Sequence, residues 1–174
     1  MKKVIFSLLA IAVLALTSCS KDDDSNSSTS LTGTWKLTAW NSATGYDINN
    51  DGTASTNILN ELDCYNNETV VFSANNTAMA HSTSYADITA EITTGTTDEY
   101  TYTVDCVDEV DSFALTWSLN GNTITFDEGT PDEIVATLSG NTFSLLVPEG
   151  LVIYDANNVN EVVIQDLTLV YTKQ

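Results

Sequence analysis

Positive charge is the scarcest feature of this 174-residue sequence. Arginine is absent, lysine occurs five times and histidine once, against 24 aspartate and glutamate residues, so the formal net charge is −19. A chain with this charge repels the phosphate backbone of nucleic acids and anionic lipid surfaces, which excludes nucleic acid as a partner. Cations and neutral ligands remain compatible with it.

The side chains that most often form catalytic pairs are also few. His81 is the only imidazole, and no Gly-x-Ser-x-Gly segment marks a nucleophile. Carboxylates could pair for glycoside cleavage, but with 24 acids any chosen pair is uninformative, and their usual role is on a solvated face. We therefore expect a protein that is not an enzyme.

Long apolar runs are missing as well. The longest, residues 4–16, is shorter than the roughly 20 residues that a spanning helix needs. It follows Lys2 and Lys3 and precedes small residues and Cys19, so it predicts an export signal over residues 1–18. The segment Leu-Thr-Ser-Cys at 16–19 resembles the lipobox of bacterial lipoproteins. That resemblance implies cleavage before Cys19 and fatty acids on its sulfur, which anchor the chain to a membrane. The alternative is a soluble secreted protein cut nearby.

Residues 19–30 contain nothing that could enter a core, and we expect a flexible tether there. The segment Ser-Lys-Asp-Asp-Asp at 20–24 is similar to the signal that sends some Gram-negative lipoproteins to the cell surface. The alternative is a solvated run of charge. The expectation is an outer-membrane lipoprotein, exposed at the cell surface, that carries one folded domain over residues 31–174.

Three cysteines are present, and acylation of Cys19 leaves Cys64 and Cys106. An exported protein is exposed to an oxidising environment, so two remaining cysteines most simply form a disulfide with each other. Metal binding or catalysis by either thiol is disfavoured because His81 is the only histidine that could assist.

The remaining sequence predicts an all-β domain. Short runs rich in Thr, Val, Ile, Tyr and Phe recur every 8 to 12 residues between turn residues. Asn120-Gly121 and Ser139-Gly140 mark tight hairpins between alternating apolar strands. We expect an antiparallel up-and-down meander of about eight to ten strands closed as a barrel, with one short helix at residues 55–62. The less certain strands are 32–40, 68–74, 77–85, 87–93, 99–107 and 162–172.

His81 is placed by the same alternation. If residues 75–76 form a short hairpin, Val70 and Phe72 share a face with Met79 and His81. This predicts an inward-facing imidazole, more often a hydrogen-bonded core histidine than a catalytic one.

The start of the domain carries a family resemblance. Gly33-Thr34-Trp35, just after the tether, resembles the Gly-x-Trp opening strand of lipocalins and of the lipocalin-like domains of bacterial surface lipoproteins. The resemblance implies a lipocalin-like barrel over residues 31–174 that binds a small ligand. It also implies that Trp35 closes the barrel floor beside a basic residue of the last strand, for which Lys173 is the candidate.

Residues 47–55 reproduce the first half of an EF-hand calcium loop. Asp47, Asn49 and Asp51 supply oxygens at alternate positions, a glycine follows, and Thr53 and Ser55 stand at the seventh and ninth positions. The twelfth position is an isoleucine, so Glu61 or Asp63 would have to replace the usual glutamate. The alternative is a polar loop with an Asp-Gly turn.

Two non-enzymatic functions remain open, beside a hydrolase, which would need a cleft with one carboxylate of raised pKa. The first is a surface-anchored, non-enzymatic lipocalin-like protein that binds a small, apolar ligand or a partner protein. The second is a calcium-ordered structural or adhesive subunit that binds glycans at the cell surface. Trp40, Tyr46 and Tyr65 near the calcium-like loop, and Tyr100 and Tyr102 on one strand face, suit either sugars or apolar ligands, although such residues are more often packing.

Overall fold

The computed structural model describes residues 30–97, 99–157 and 160–174. The predicted signal at 1–18, the acylated Cys19 and all but the last residue of the tether therefore lie outside the described residues. In the described ranges, no helix has both the length and the apolar character needed to cross a bilayer.

The described chain is almost entirely β-structure, as predicted. The single helical element is a 3-10 turn, Ile58–Glu61. The strands are β1 (Gly33–Tyr46), β2 (Ser55–Asn57), β3 (Thr69–Phe72), β4 (Thr77–Ile92), β5 (Tyr100–Asn120), β6 (Thr123–Phe126), β7 (Ile134–Ser139), β8 (Thr142–Asp155) and β9 (Glu161–Lys173).

The strands close into an antiparallel barrel. Their order is β2-β1-β3-β4-β5-β6-β7-β8-β9, and β9 pairs back onto β1, so eight strands close the wall and β2 is an addition. Asn41 pairs with both β2 and β9, which places β2 on the edge of β1 that β3 also occupies. The predicted meander and its closure as a lipocalin-like barrel are confirmed.

Two expectations about individual elements were wrong. The short helix expected over residues 55–62 is a 3-10 turn at Ile58–Glu61 only, because β2 takes the first three residues and the Asn57 side chain accepts a hydrogen bond from Leu59 N at the start of the turn. Strands expected separately at 77–85 and 87–93 are the single strand β4, and β5 likewise runs from the expected strand at 99–107 into the first hairpin.

His81 faces outward, contrary to the prediction. Val70 pairs with Ala80 and Phe72 with Ala78, so the two alanines point inward and His81 is exposed. The error was one residue in the register of β3 against β4. Because side chains alternate strictly, a slip of one position moves every residue to the other face.

The far half of the β4–β5 hairpin leaves the barrel wall. One edge of β4 pairs with β5 along its whole length. The other edge is shared: β3 pairs with it at Ala78–His81, and β8 pairs with it at Thr89–Ala90. A register shift between Ser82 and Ser84 separates the two parts. The hairpin therefore reaches across to the end of β8, where the pairing is parallel.

This arrangement gives the domain two cores. We call the first the aromatic core, which comprises Leu31, Trp35, Val70, Phe72, Ala78, Ile124, Phe126, Ala136, Leu138 and Phe143. We call the second the aliphatic core, which comprises Ile48, Ile58, Leu62, Ile88, Ala90, Leu151, Ile153 and Leu167.

Candidate functional site

Trp35 lies at the centre of the aromatic core and is fully buried. Its indole nitrogen donates to Leu31 O at 2.7 Å, and the Lys173 amine lies 5.5 Å from the ring centroid while also donating to Ser30 O. Gly33 has a φ of +129°, and a side chain there would place its first carbon 3.4 Å from Lys173 Cε. This end of the barrel is therefore filled by side chains.

A cavity of about 210 Å³ lies between the two cores. Ala80 and Tyr171 pack against the aromatic core, whereas Trp40, Tyr65 and Leu169 pack against the aliphatic core, and all five line the cavity. The lining comprises Leu37, Trp40, Tyr65, Glu68, Thr69, Ala80, His81, Ser82, Phe113, Leu169 and Tyr171.

Trp40 contributes an unsatisfied hydrogen-bond donor. Its Nε1 is buried and has no hydrogen-bond partner in the described part of the chain. The indole is held in place, since its backbone N–H donates to Asn57 Oδ1 at 2.9 Å and its ring centroid lies 4.3 Å from that of Tyr65. The Trp40 ring is therefore a rigid part of the cavity wall, and its buried Nε1 has no hydrogen-bond partner among the described residues.

Glu68 contributes a buried carboxylate. Its side chain is only 6% exposed; Oε1 accepts from Thr83 N at 3.1 Å and from Thr83 Oγ1 at 2.8 Å, and Oε2 accepts from Asn67 N at 3.0 Å. Donors on both oxygens hold the carboxylate in one orientation.

The two phenols of the cavity respond to burial and to this carboxylate. Burial, followed by the charge of Glu68, raises the pKa of Tyr171 to about 12. Burial also raises the pKa of Tyr65. A hydrogen bond from Ala86 N to the Tyr65 hydroxyl, at 2.9 Å, lowers this pKa in part, and the charge of Glu68 raises it. Both phenols are therefore kept neutral and can donate.

His81 and Phe113 line the cavity where it meets solvent, and Phe113 is 52% exposed. The His81 Nδ1 lies 2.9 Å from Ser112 Oγ. A serine and a histidine are two parts of a three-part hydrolytic arrangement. The contacts of the described residues do not include the third, a carboxylate on the other ring nitrogen.

The predicted disulfide is confirmed. Cys64 and Cys106 are bonded, with their Cα atoms 5.5 Å apart. The bond joins the segment after the 3-10 turn to β5, so it connects the aliphatic core to the outlying part of the β4–β5 hairpin.

The calcium-like loop is internally hydrogen-bonded. The Asp47 carboxylate accepts from Asp51 N and Gly52 N, both at 2.9 Å, and Asn49 Oδ1 accepts from Asp51 N at 2.9 Å. Asp51 Oδ1 accepts from Thr53 N at 2.8 Å. These contacts fold the loop into successive turns around its side-chain oxygens.

Two candidate replacements for the missing twelfth ligand lie near this loop. Glu61 is buried, with Oε2 3.5 Å from Asn49 N, and it lines a second cavity with Asn49 and Asp63. Ser55 Oγ, the ninth-position group, donates instead to Asn57 O at 3.0 Å. Among the described residues, no three His, Cys, Asp or Glu side chains are grouped to hold a metal, so calcium binding stays a prediction.

The sequence analysis singled out Trp40 and Tyr65 but not Glu68, Leu169 or Tyr171. Glu68 directly precedes an apolar strand, yet nothing separates it by sequence from the other 23 acids, since only folding buries it. Leu169 and Tyr171 alternate along β9, a pattern that predicts inward facing and not a cavity.

Comparison with known proteins adds a family. A family model described as a lipocalin-like domain matches residues 31–145, which is more than half of the chain. No curated protein and no solved structure matches it.

Proposed function

The chain belongs to the lipocalin-like domain family, and on that premise we propose that it is a surface-anchored protein that binds a small ligand in the cavity between its two cores. The family is typically one of binding proteins and not of enzymes. The proposed anchor is a fatty-acylated Cys19, which would hold the domain on the outer membrane, facing outward.

The cavity itself carries the ligand-binding proposal, because the aromatic side chains of Trp40, Tyr65 and Tyr171 line it together with the buried Glu68. The cavity also has the composition of ligand sites in general, with apolar and aromatic walls and few polar groups. At about 210 Å³ it is smaller than the roughly 300–1,000 Å³ that drug-sized ligands occupy, so the proposed ligand is small.

Native mass spectrometry of the protein released from its own host membranes tests this proposal. We expect a bound small molecule on the wild-type protein and its loss in Ala80→Leu, which places three more carbons in the cavity. Ala114→Leu, at an exposed position of β5, is the matched control and should retain the ligand. Equal ligand retention by both variants would contradict the assignment of this cavity.

The membrane anchor has its own test. Replacing Cys19 by serine removes the sulfur to which fatty acids attach. We expect the variant to lose radiolabelled palmitate and to leave the membrane pellet, whereas Cys64→Ser keeps both. Surface exposure is measured separately by digestion of intact cells with protease. Unchanged labelling and pelleting of Cys19→Ser would rule out the anchor.

A second candidate function is a calcium-ordered adhesive or structural subunit that binds glycans. The observation in its favour is the fixed position of the loop on the barrel, since the Asn50 side chain donates to Tyr102 O at 2.8 Å and accepts from Tyr102 N at 3.1 Å. Binding to a glycan array that requires calcium and is lost in Asp51→Ala would support this function. Binding that is indifferent to chelation of calcium would count against it.

A further inference from the structure

We propose that the ligand of the cavity carries a small organic ammonium group, held beside the Glu68 carboxylate and against the rings of Trp40 and Tyr65. This inference rests on the ligand-binding function proposed above and names the chemical class of the ligand.

The first step is the charge of Glu68. Its carboxylate is more than nine-tenths buried, and its three hydrogen bonds come from the neutral groups of Thr83 and Asn67. In the described ranges no lysine or histidine pairs with it. A buried charge is costly unless a counter-charge offsets it, and a carboxylate in a cavity wall is therefore suited to a cation supplied by the ligand.

The aromatic walls supply the second step. The Trp40 and Tyr65 rings are tilted by 50° with centroids 4.3 Å apart, so they form a corner that also lines the cavity. A cation within about 6 Å of an aromatic face is attracted by the negative quadrupole of the ring, most strongly where water is excluded. Aromatic rings around a carboxylate are the combination that recognises an ammonium group.

The Glu68 carboxylate acts electrostatically on the phenols that line the cavity. The charge of Glu68 contributes to the raised pKa of both Tyr65 and Tyr171, which lie on walls that belong to different cores. One negative centre therefore acts on both sides of the cavity.

The rest of the molecule favours the same sign of charge. With a net charge of −19, the chain attracts cations toward its openings and repels anions. Fatty acids and other anionic ligands fit this cavity poorly because they would face Glu68.

The test compares charged and neutral probes of equal size on the full-length acylated protein in lipid nanodiscs. The pairs are butylammonium with 1-butanol and 2-phenylethylammonium with 2-phenylethanol. Binding is followed by chemical-shift titration of the Trp40 indole N–H, assigned with Trp40→Phe. We expect at least one ammonium probe to bind at least about tenfold more tightly than its alcohol, a difference of about 1.4 kcal/mol.

Glu68→Gln removes the charge but keeps an oxygen that can accept from Thr83. We expect it to lose that preference while alcohol binding changes less than about twofold. Glu91→Gln removes one charge at an exposed position of β4 that does not line the cavity, and it is the matched control. It should behave as wild type.

The possible failures are distinguishable. Equal binding of charged and neutral probes to the wild-type protein overturns the ammonium inference but leaves a ligand-binding cavity. Binding of none of the four probes also overturns the ammonium inference, whereas the ligand-binding function is decided by the native mass spectra of the wild-type protein and Ala80→Leu. The probe comparison needs no variant, so it stands even if Glu68→Gln fails to fold.

Discussion

The two cores of this domain are assembled in different ways. The aromatic core forms inside the closed barrel wall, and its rings contact one another directly, with the Phe143 centroid 5.4 Å from Trp35 and 5.7 Å from Phe72. The aliphatic core collects residues from the calcium-like loop, the 3-10 turn and the far ends of β4, β8 and β9. Packed rings dominate the first core, whereas the second combines strand residues with a loop and a 3-10 turn.

The second core is accordingly fastened by specific links. A disulfide joins Cys64 to β5, and Tyr65 is bonded through its backbone N to Ser84 Oγ and through its hydroxyl to Ala86 N. The cavity lies between the two cores, since residues packed against each core line it. A binding site is thus placed between a part stabilised by dense packing and a part stabilised by links.

Removal of the central ring of the aromatic core should have the largest effect on stability. Trp35 is fully buried, so Trp35→Ala is expected to lower the free energy of unfolding by about 3–5 kcal/mol through lost burial and the cavity left behind. Urea denaturation measures it. Trp117→Ala, which removes a partly exposed tryptophan packed on the same core, is the control and should cost less. Equal losses would mean that the aromatic core is not organised around Trp35.

Loss of the disulfide should act chiefly on the aliphatic core. The double variant Cys64→Ser, Cys106→Ser is expected to lose about 2–4 kcal/mol, because the bond closes a separation of 42 residues in the unfolded chain. Hydrogen exchange should accelerate first at Ile88 and Ile153, and later at Phe126 and Phe143. Uniform acceleration across both cores would show that they unfold as one unit.

Tyr171, which lies between the cores, should make the domain sensitive to alkali. Its pKa is about 12 when folded against 10 when unfolded, so the neutral form is favoured by folding. The stabilisation is complete below pH 10 and is lost as pH rises from 10 to 12, by about 2–3 kcal/mol at 1.36 kcal/mol per pKa unit.

Tyr171→Phe cannot ionise and isolates this contribution. Burial also raises the pKa of Tyr46, Tyr65 and Tyr102, so both proteins should lose stability in alkali. The wild-type protein should lose it more steeply than the variant, because only the wild-type protein contains Tyr171. Unfolding free energies measured at several pH values give the difference. Parallel curves for the two proteins would contradict the assignment to Tyr171.

Calcium should give the smallest effect, confined to the aliphatic side. If the loop at 47–55 binds the ion with the millimolar affinity of extracellular sites, about 10 mM calcium stabilises the fold by about 1 kcal/mol. Thermal unfolding with and without calcium measures it, with magnesium as the ionic-strength control. Asp51→Ala should abolish the shift and exposed Asp132→Ala should keep it. A shift that survives Asp51→Ala would place any calcium elsewhere.

Local patterns were enough to predict much of the aromatic end. The glycines of Asn120-Gly121 and Ser139-Gly140 have positive φ, as tight hairpins require. The strands that these turns join pair as expected. The cysteine count predicted the disulfide. Alternation and turn residues are visible within short segments, and cysteines can be counted, so these features predict structure before the fold is known.

The aliphatic end and the cavity could not be predicted in this way. The pairing of the β4–β5 hairpin with β8 depends on which strand edges remain free in the folded barrel. The direction of His81 depends on the length, to one residue, of the connection between β3 and β4. Glu68 became distinct from the other acids only when β3, β4 and β9 closed around it. Burial and juxtaposition are relations between distant segments, and the free energy that selects them exists only once those segments are packed together.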